Sequence, residues 1–360
     1  MINGAETLHV QPPSPLPSSL PLTPPSTGGT GYIGGSVLHA IATAHPDYSI
    51  TVLLRRIPKT FASTYPNITI VHGDYDSTSL LASEAAKADI VVHNGDSDHE
   101  ASLNALLSGL LTKPKPGYLL HLSGTGIVSD WRQTDQLGTK SDVIWSDVDS
   151  TSLAKIRTLP AGELHRNTET ILHDIAHTHP DKINIAIMCP PDIYGRGLGL
   201  GKTHSALIPL FVHEIKALGA PFYYAAGTNT RSWVHISDLT RLYLHVVESA
   251  VSSPNPEKYF NANGYYFAAT QEHSQVDLAR ATGAILHRHG VIETAEPVQV
   301  GLEQLDSMAR VPRFPALGRY LFASNSRTRA ERAEGEWGYK GEAEGLMEGL
   351  ERDVLDALEG

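Results

Sequence analysis

A run of glycines near the N-terminus places the strongest constraint on the fold of this 360-residue chain. Residues 27–34 read TGGTGYIG, with glycines at positions 28, 31 and 34. In such a loop the first glycine permits a tight turn, the second lets the backbone approach a phosphate, and the third lets a helix pack closely on a sheet. An amphipathic segment follows over residues 32–44. The pattern predicts a loop and helix N-terminus that hold the pyrophosphate of a dinucleotide.

Strand and helix signals alternate from residue 27 onwards, which is typical of a parallel sheet with helices on both faces. Apolar runs predict strands over residues 49–54, 67–71, 89–93, 118–122 and 183–188. Helical spacing predicts helices over residues 77–87, 97–111, 162–179, 204–218, 237–249, 276–289 and 345–358. Residues 126–160 predict loops with short elements. The fold class is therefore α/β, with a doubly wound parallel Rossmann sheet.

Composition excludes several classes of protein. The net charge is 28 minus 39, or −11, which disfavours a nucleic-acid partner. No apolar run reaches the ~18 residues of a membrane span, and the single cysteine, Cys189, suits a reducing compartment. His173 and His177 have zinc-ligand spacing but lack a third ligand, so no metal is expected. We expect a cytoplasmic protein with a small-molecule substrate and no membrane partner; a homodimer is compatible with the sequence.

The segment before the glycine loop does not suit the strand that this fold needs there. Seven of the residues 11–25 are proline, and proline cannot donate a hydrogen bond inside a sheet. Residues 1–26 are expected to be disordered, and the first strand to be missing or disrupted. Residues 7–10 have strand character but appear too distant to replace it. One hypothesis is a wrongly assigned translation start or a retained intron, which sequencing of the mature transcript would test.

Two arginines follow the strand predicted over residues 49–54. Arg55 and Arg56 lie about 20 residues beyond the glycine loop, where an acidic residue would bind the ribose hydroxyls of NAD. Guanidinium groups instead suit a 2′-phosphate. The sequence therefore favours NADP over NAD as cofactor, with surface arginines that merely close a strand as the alternative.

Six segments, in order, resemble the extended or atypical short-chain dehydrogenases/reductases, in their NAD-dependent epimerase/dehydratase branch, with NmrA-like relatives also similar. They are residues 27–35 (TGGTGYIGG), 72–75 (HGDY), 89–95 (DIVVHNG), 122–125 (LSGT), 190–195 (PPDIYG) and 231–239 (RSWVHISDL). The resemblance implies a Rossmann domain over residues 27–190 with a return segment at 231–262. It also implies a small substrate lobe from residues 191–230 and 255–330, and a C-terminal helix within 331–360.

The resemblance also implies which residues bind the cofactor. The glycine loop would hold the pyrophosphate, Asp74 the adenine amine, Asn94 and Gly95 the ribose, and Pro190 the nicotinamide. The implied cofactor-binding residues are Gly28, Gly31, Tyr32, Ile33, Gly34, Arg55, Arg56, Asp74, Tyr75, Asn94, Gly95 and Pro190.

The catalytic pattern departs from the family. The resemblance implies that Thr125 polarises the substrate oxygen and that Tyr194 and Arg231 face the substrate. The family's Tyr-x-x-x-Lys pair is missing, because its two positions fall at Ala161 and His165 when Glu169 is aligned with the family glutamate. His165 either replaces the lysine, acts as acid/base near neutral pH, or is an ordinary solvent-facing or ribose-bonding histidine.

Two functions remain open on this evidence. The first is an NAD(P)-binding oxidoreductase or epimerase/dehydratase-like enzyme acting on a small carbonyl, alcohol or sugar-derived substrate. The second is a non-catalytic NADP-binding protein that senses redox state for a partner. The missing Tyr-x-x-x-Lys pair favours the second function, and the Arg231 and Tyr194–Gly195 segments favour the first.

Overall fold

The computed structural model describes residues 8–10, 26–312 and 314–359. Its strands are β1 Leu8–Val10, β2 Ser26–Thr27, β3 Thr51–Leu54, β4 Thr69–His72, β5 Ile90–His93, β6 Gly117–Leu122, β7 Trp145–Ser146, β8 Ile183–Cys189, β9 Asp192–Tyr194, β10 Phe222–Tyr224, β11 Thr230–His235, β12 Tyr265–Phe267, β13 Gln271–Ser274, β14 Val298–Val300 and β15 Thr328–Arg329. Its α-helices are α1 Tyr32–Ala44, α2 Phe61–Thr64, α3 Thr78–Ala85, α4 Glu100–Leu111, α5 Ser150–Arg157, α6 Arg166–Thr178, α7 Leu207–Leu218, α8 Ile236–Ser252, α9 Gln275–Arg288, α10 Leu302–Ser307, α11 Leu317–Phe322, α12 Glu331–Trp337 and α13 Leu346–Glu359.

The main sheet confirms the predicted α/β class. Strands β4, β3, β2, β5, β6, β8 and β12 lie side by side and run parallel. Every residue of β3, β5 and β8 is buried, because helices cover both faces of the sheet. Helices α1 and α8 pack on one face, and α3, α4 and α6 pack on the other.

The centre of the sheet is built from two short pieces. Strand β2 has two residues, with Thr27 opposite Leu53 of β3 and Ser26 opposite Val92 of β5. Strand β1 lies between the same neighbours and runs antiparallel to them, with Leu8 opposite Val52 and Val92. The prediction of a disrupted first strand is therefore confirmed.

Two expectations about the N-terminal segment are wrong for the described residues. Residues 8–10 are not disordered, and they are not too distant to enter the sheet. Sequence separation is a poor guide here, because each residue of an extended connection can span about 3.3–3.6 Å. The rest of the proline-rich segment lies outside the described residues.

A second core lies beside the sheet, mostly in residues that the sequence assigns to the lobe, with a contribution from the C-terminal segment. Helices α7, α9, α11 and α13 enclose it, together with β10 and β14. The expected single C-terminal helix is two helices, because Gly338 adopts a left-handed conformation (φ 65°) and ends α12. None of the helices in the described residues is long and apolar enough to cross a membrane.

Candidate active site

The glycine loop has the tight geometry that the sequence predicts. Gly28 has a φ of 120°, which favours glycine, and its carbonyl accepts a hydrogen bond of 2.8 Å from the Gly31 amide. Helix α1 begins at Tyr32, so the unpaired amides of its first turn lie at the carboxyl ends of the strands. A Cβ added at Gly34 would lie 2.4 Å from the Gly28 carbonyl oxygen. Position 34 therefore requires glycine, and Ile33 packs against the sheet core.

A second glycine-rich segment, residues 195–202, crosses the glycine loop, and we call it the glycine strap. The Tyr32 hydroxyl donates a 2.6 Å hydrogen bond to the Gly195 carbonyl at one end of the strap. At the other end, the Lys202 amide donates to the Thr30 carbonyl at 2.9 Å. A Cβ added at Gly201 would lie 2.0 Å from the same Thr30 oxygen. Backbone therefore packs directly on backbone where the lobe meets the loop.

Charged side chains gather where β3 and β4 end. Arg55 and Arg56 are exposed directly after β3. Asp74 follows β4 and accepts a hydrogen bond from the Ser77 hydroxyl at 2.7 Å. That hydrogen bond, with a smaller effect of the Arg55 charge, lowers the pKa of the Asp74 carboxyl. A carboxylate and two guanidinium groups are thus available at this edge of the sheet.

Asn94, directly after β5, holds a buried amide donor. Its side-chain oxygen accepts a hydrogen bond from the Tyr243 hydroxyl at 2.7 Å. Its Nδ2 atom is buried and has no hydrogen-bond partner among the described residues. Gly95 beside it is also buried. Tyr75, another of the implied cofactor-binding residues, has its ring 5.6 Å from the His99 ring. A buried amide without an acceptor is costly, so this position suits a ligand with an acceptor atom.

Strand β6 ends at Leu122, and residues 124–126, which we call the β6 corner, follow it. Thr125 is 3% exposed and stands between two glycines. Its amide donates to the Pro190 carbonyl at 3.0 Å, and its carbonyl accepts from the Ser326 hydroxyl at 2.8 Å. The corner is therefore fixed both by β8 of the main sheet and by a segment close to β15.

His165 reaches the β6 corner from the start of α6. The sequence predicts this helix from residue 162, but it begins at Arg166, since His165 has a φ of 62°. A left-handed residue cannot continue a right-handed helix. The His165 Nδ1 lies 2.9 Å from an Asp98 carboxylate oxygen. A Cβ added at Gly124 would lie 3.0 Å from the His165 Nε2, so this nitrogen faces the corner.

Asp98 controls the charge of this imidazole. Burial alone lowers the pKa of His165, but the hydrogen bond with Asp98 and its negative charge raise that pKa above its ordinary value. Burial raises the pKa of Asp98, but the bond with His165 lowers it overall. The sequence reasoning missed Asp98. Its only signal is that it closely follows a buried strand, whose carboxyl end lies at the same edge as the others.

A buried carboxylate, Glu169, ties α6 to the sheet. It accepts hydrogen bonds from the Ser123 hydroxyl at 2.5 Å and from the Tyr265 hydroxyl at 3.0 Å. Its side chain has no exposed surface. These bonds satisfy the carboxylate inside the protein and hold the N-terminal turn of α6, with His165, against β6.

The comparisons with known proteins agree with this geometry. Residues 164–261 match the model of the NAD dependent epimerase/dehydratase family. Oxidase ucsJ of Acremonium sp is 29% identical over 319 residues, covering 86% of this chain and 89% of its own. The dTDP-glucose 4,6-dehydratase of Mycobacterium tuberculosis is 24% identical over 230 residues, covering 59% of this chain and 64% of its own. The chain is thus similar to proteins of the NAD dependent epimerase/dehydratase family, in line with the resemblance seen in the sequence.

Solved structures show the same fold as this chain. DesIV, a dTDP-glucose 4,6-dehydratase from Streptomyces venezuelae with NAD and TYD bound, has a TM-score of 0.61 at 19% identity, covering 95% of this chain and 98% of its own. A UDP-glucuronic acid 4-epimerase from Bacillus cereus has a TM-score of 0.59 at 14% identity, covering 94% and 99%. The predicted Rossmann-like α/β fold is thereby confirmed.

A nicotinamide dinucleotide fits the residues present in this chain. The glycine loop leaves no room for a Cβ at position 34, and α1 presents its N-terminus there. The Asn94 amide supplies a buried donor without an acceptor. Among the described residues, no group of three or more His, Cys, Asp or Glu side chains is arranged to hold a metal ion.

The two residues predicted to face the substrate are bonded inside the protein. Arg231 is 3% exposed and forms an ion pair through two of its nitrogens with Asp192, one contact being 3.1 Å. It also donates to the Ser324 hydroxyl at 2.8 Å. The Tyr194 hydroxyl donates to the Glu344 carbonyl at 2.8 Å, and burial raises its pKa to about 12. These contacts argue against the substrate roles implied for Arg231 and Tyr194, which stay predictions.

Proposed function

We propose that this chain binds NAD(P) and catalyses hydride transfer to or from a carbonyl or alcohol of a small, sugar-derived or similar molecule. The observation that carries the proposal is the Asp98–His165 pair facing the β6 corner beside Thr125. An imidazole with one nitrogen bound to a carboxylate and the other directed at the β6 corner is suited to proton transfer. The names of the relatives, which include dehydratases, epimerases and an oxidase, support the same class.

In this proposal the chain's own residues hold the cofactor and orient the substrate. The amides of the glycine loop and of α1 would bind the pyrophosphate, and the Asn94 amide would donate to a ribose or nicotinamide acceptor. The nicotinamide, when bound, supplies or accepts the hydride. The Thr125 hydroxyl would orient the substrate oxygen. In the alignment on Glu169, His165 takes the position of the family's lysine, and Asp98 raises its pKa, so its charged form would supply positive charge there.

Mutation of Gly34 to alanine is expected to weaken binding of both NADPH and NADH by about 10- to 100-fold. The added Cβ lies 2.4 Å from the Gly28 carbonyl oxygen, so the loop must open. Overpacking of this kind costs about 1–3 kcal/mol. Nicotinamide fluorescence titration measures the two Kd values. Gly335→Ala is the control, because nothing lies within 4 Å of its added Cβ; equal Kd values for the two variants would contradict the assignment of the loop.

NADP is the cofactor that we favour, because Arg55 and Arg56 are both exposed beside the end of β3. Replacing both arginines with alanine should weaken NADPH binding by about 10- to 100-fold and leave NADH binding within about threefold. The loss corresponds to one hydrogen bond with a charged group, worth about 1.5–3 kcal/mol. Lys59→Ala, nearby and equally exposed, should change neither affinity. Parallel losses for both nucleotides would exclude a 2′-phosphate site.

The function itself is tested by turnover. Purified protein is incubated with NADP⁺ or NADPH and a set of probes that includes dTDP-glucose, UDP-glucuronic acid and 4-nitrobenzaldehyde. Net hydride transfer is followed by nicotinamide absorbance, and reactions that return the cofactor to its starting state are followed by proton NMR of the products. Turnover of any probe supports the proposal. Tight cofactor binding without turnover contradicts it and supports a non-catalytic, cofactor-sensing role.

A further inference from the structure

A second proton-carrying side chain reaches the β6 corner from the lobe. No tyrosine occurs between Tyr118 and Tyr194, so α6 and the segment before it offer no phenol. Tyr320, on α11, nevertheless lies beside this corner. A Cβ added at Gly126 would lie 3.0 Å from the Tyr320 hydroxyl oxygen.

The two glycines of the corner have matching surroundings. Gly124 leaves room for the His165 Nε2, and Gly126 leaves room for the Tyr320 hydroxyl, each 3.0 Å from the added Cβ. Thr125 stands between them. A side chain at either position would collide with one of these groups. The corner therefore has an imidazole on one side and a phenol on the other, contributed by segments about 150 residues apart in the sequence.

Several contacts fix the orientation of Tyr320. The Arg231 guanidinium carbon lies 4.7 Å from the centre of its ring, a distance suited to a cation–π contact. The same guanidinium donates to the Tyr320 carbonyl at 2.8 Å. The Phe314 ring packs against it at 5.7 Å. The residue is only partly buried, and its hydroxyl faces the β6 corner.

The charge state of Tyr320 suits a proton donor. Burial raises the pKa of its hydroxyl, and the nearby Arg231 charge lowers it by a smaller amount, so that the pKa lies above its ordinary value. The phenol therefore carries its proton at neutral pH. The positive charge next to the ring would stabilise the phenolate that forms when this proton leaves.

We propose that Tyr320 is the catalytic residue that transfers the proton to and from the substrate oxygen, in place of the tyrosine missing from α6. This inference rests on the proposed function. In the reducing direction the carbonyl carbon gains a hydride from the reduced nicotinamide, and the π-electron pair of the C=O bond moves to oxygen. That oxygen takes the Tyr320 proton, and the phenolate regains a proton from solvent. Arg231 is then a positioning residue that acts through Tyr320.

The test compares Tyr320→Phe with wild-type protein in the presence of NADPH and 4-nitrobenzaldehyde. Phenylalanine keeps the ring packing, so the variant is expected to fold and to bind NADPH with an unchanged Kd. Its kcat should fall by about 10²- to 10⁴-fold, the usual contribution of a general acid. Tyr259→Phe, which changes a tyrosine stacked on Trp337 instead, is the matched control and should keep wild-type kcat.

A second measurement does not depend on turnover. Protein labelled with ¹³C at the tyrosine Cζ is titrated with 4-nitrobenzamide, a carbonyl compound that is not reduced, in the presence of NADP⁺. The resonance that disappears in Tyr320→Phe should shift on titration. If that variant does not fold, 3,5-difluorotyrosine at position 320 replaces it; this residue keeps the hydroxyl, and its ¹⁹F resonance should shift on titration with the same ligand.

The outcomes separate the two proposals. The role of Tyr320 is overturned if the wild type is active and Tyr320→Phe keeps its kcat. It is also overturned if the Tyr320 resonance does not shift when 4-nitrobenzamide is added. Either result leaves the proposed function standing. A wild type that binds NADPH and reduces no carbonyl overturns the proposed function and the inference with it. Loss of kcat with unchanged NADPH affinity, together with the shifted resonance, supports both.

Discussion

Replacing His165 with asparagine is expected to lower kcat by about 10²- to 10³-fold, the cost of removing one charged hydrogen-bond donor beside the reacting oxygen. Asparagine tolerates the left-handed backbone found at this position (φ 62°), so the start of α6 should be retained. It cannot carry the positive charge that Asp98 favours on the imidazole. Steady-state kinetics with the probe set measure the effect, and an unchanged NADPH Kd separates it from a general loss of binding.

The pH profile gives a control for this prediction. The pKa of His165 is raised from its ordinary value of 6.5, so the charged form persists to higher pH in the folded protein. Activity that needs this form is present below that pKa and is lost as pH rises through it. Asp98→Asn removes the charge that raises the pKa of His165, so the loss of activity with rising pH should begin at lower pH. Besides Asp98, the charges of Glu169 and Asp96 raise this pKa. If activity is lost at the same pH in Asp98→Asn and in the wild type, His165 is not the group whose titration causes the loss.

Asp192→Ala is expected to lower the free energy of unfolding by about 3–5 kcal/mol, because it leaves the buried Arg231 guanidinium without its counter-charge. The two side chains are only 11% and 4% exposed. Guanidinium chloride denaturation measures the change. The structural role expected here is separate from catalysis, since the loss should appear without any ligand.

The matched control for this variant is Asp306→Ala. Asp306 pairs with Arg319 in the same part of the chain, but the side chains are 33% and 25% exposed. An exposed pair contributes about 0–1 kcal/mol. Losses of equal size in the two variants would contradict the interpretation of the Asp192–Arg231 pair as a buried framework contact.

The sequence predicted the features that depend on local pattern. Strands β3, β5 and β6 are continuous apolar runs with buried faces, and their ends were placed within two residues. The glycine loop was predicted because a positive φ and a close helix approach both require glycine, at positions 28 and 34. Such requirements are visible in the sequence because only glycine meets them.

Features that depend on distant segments were missed or misjudged. Strand β1 precedes the proline-rich segment in the sequence, and no local sequence pattern indicates that it pairs with β5. His165 was placed inside a helix because helical spacing continues to residue 162, whereas its bond with Asp98 is a tertiary contact. Arg231 was predicted from a motif to face substrate, but the motif does not reveal that Asp192 lies beside it. Asp98 and Tyr320 carried no sequence signal of their own.

The glycine strap has a consequence for how the two ligands would influence each other. Its backbone rests on Thr30, so a change in the position of the strap also changes the loop proposed to hold the cofactor phosphates. Any factor by which an occupied lobe tightens or weakens cofactor binding must then appear, equal in size, in the affinity for the substrate. Because the contact is made by main-chain atoms, side-chain substitutions have little scope to tune this coupling, and it is expected to persist in variants that change substrate preference.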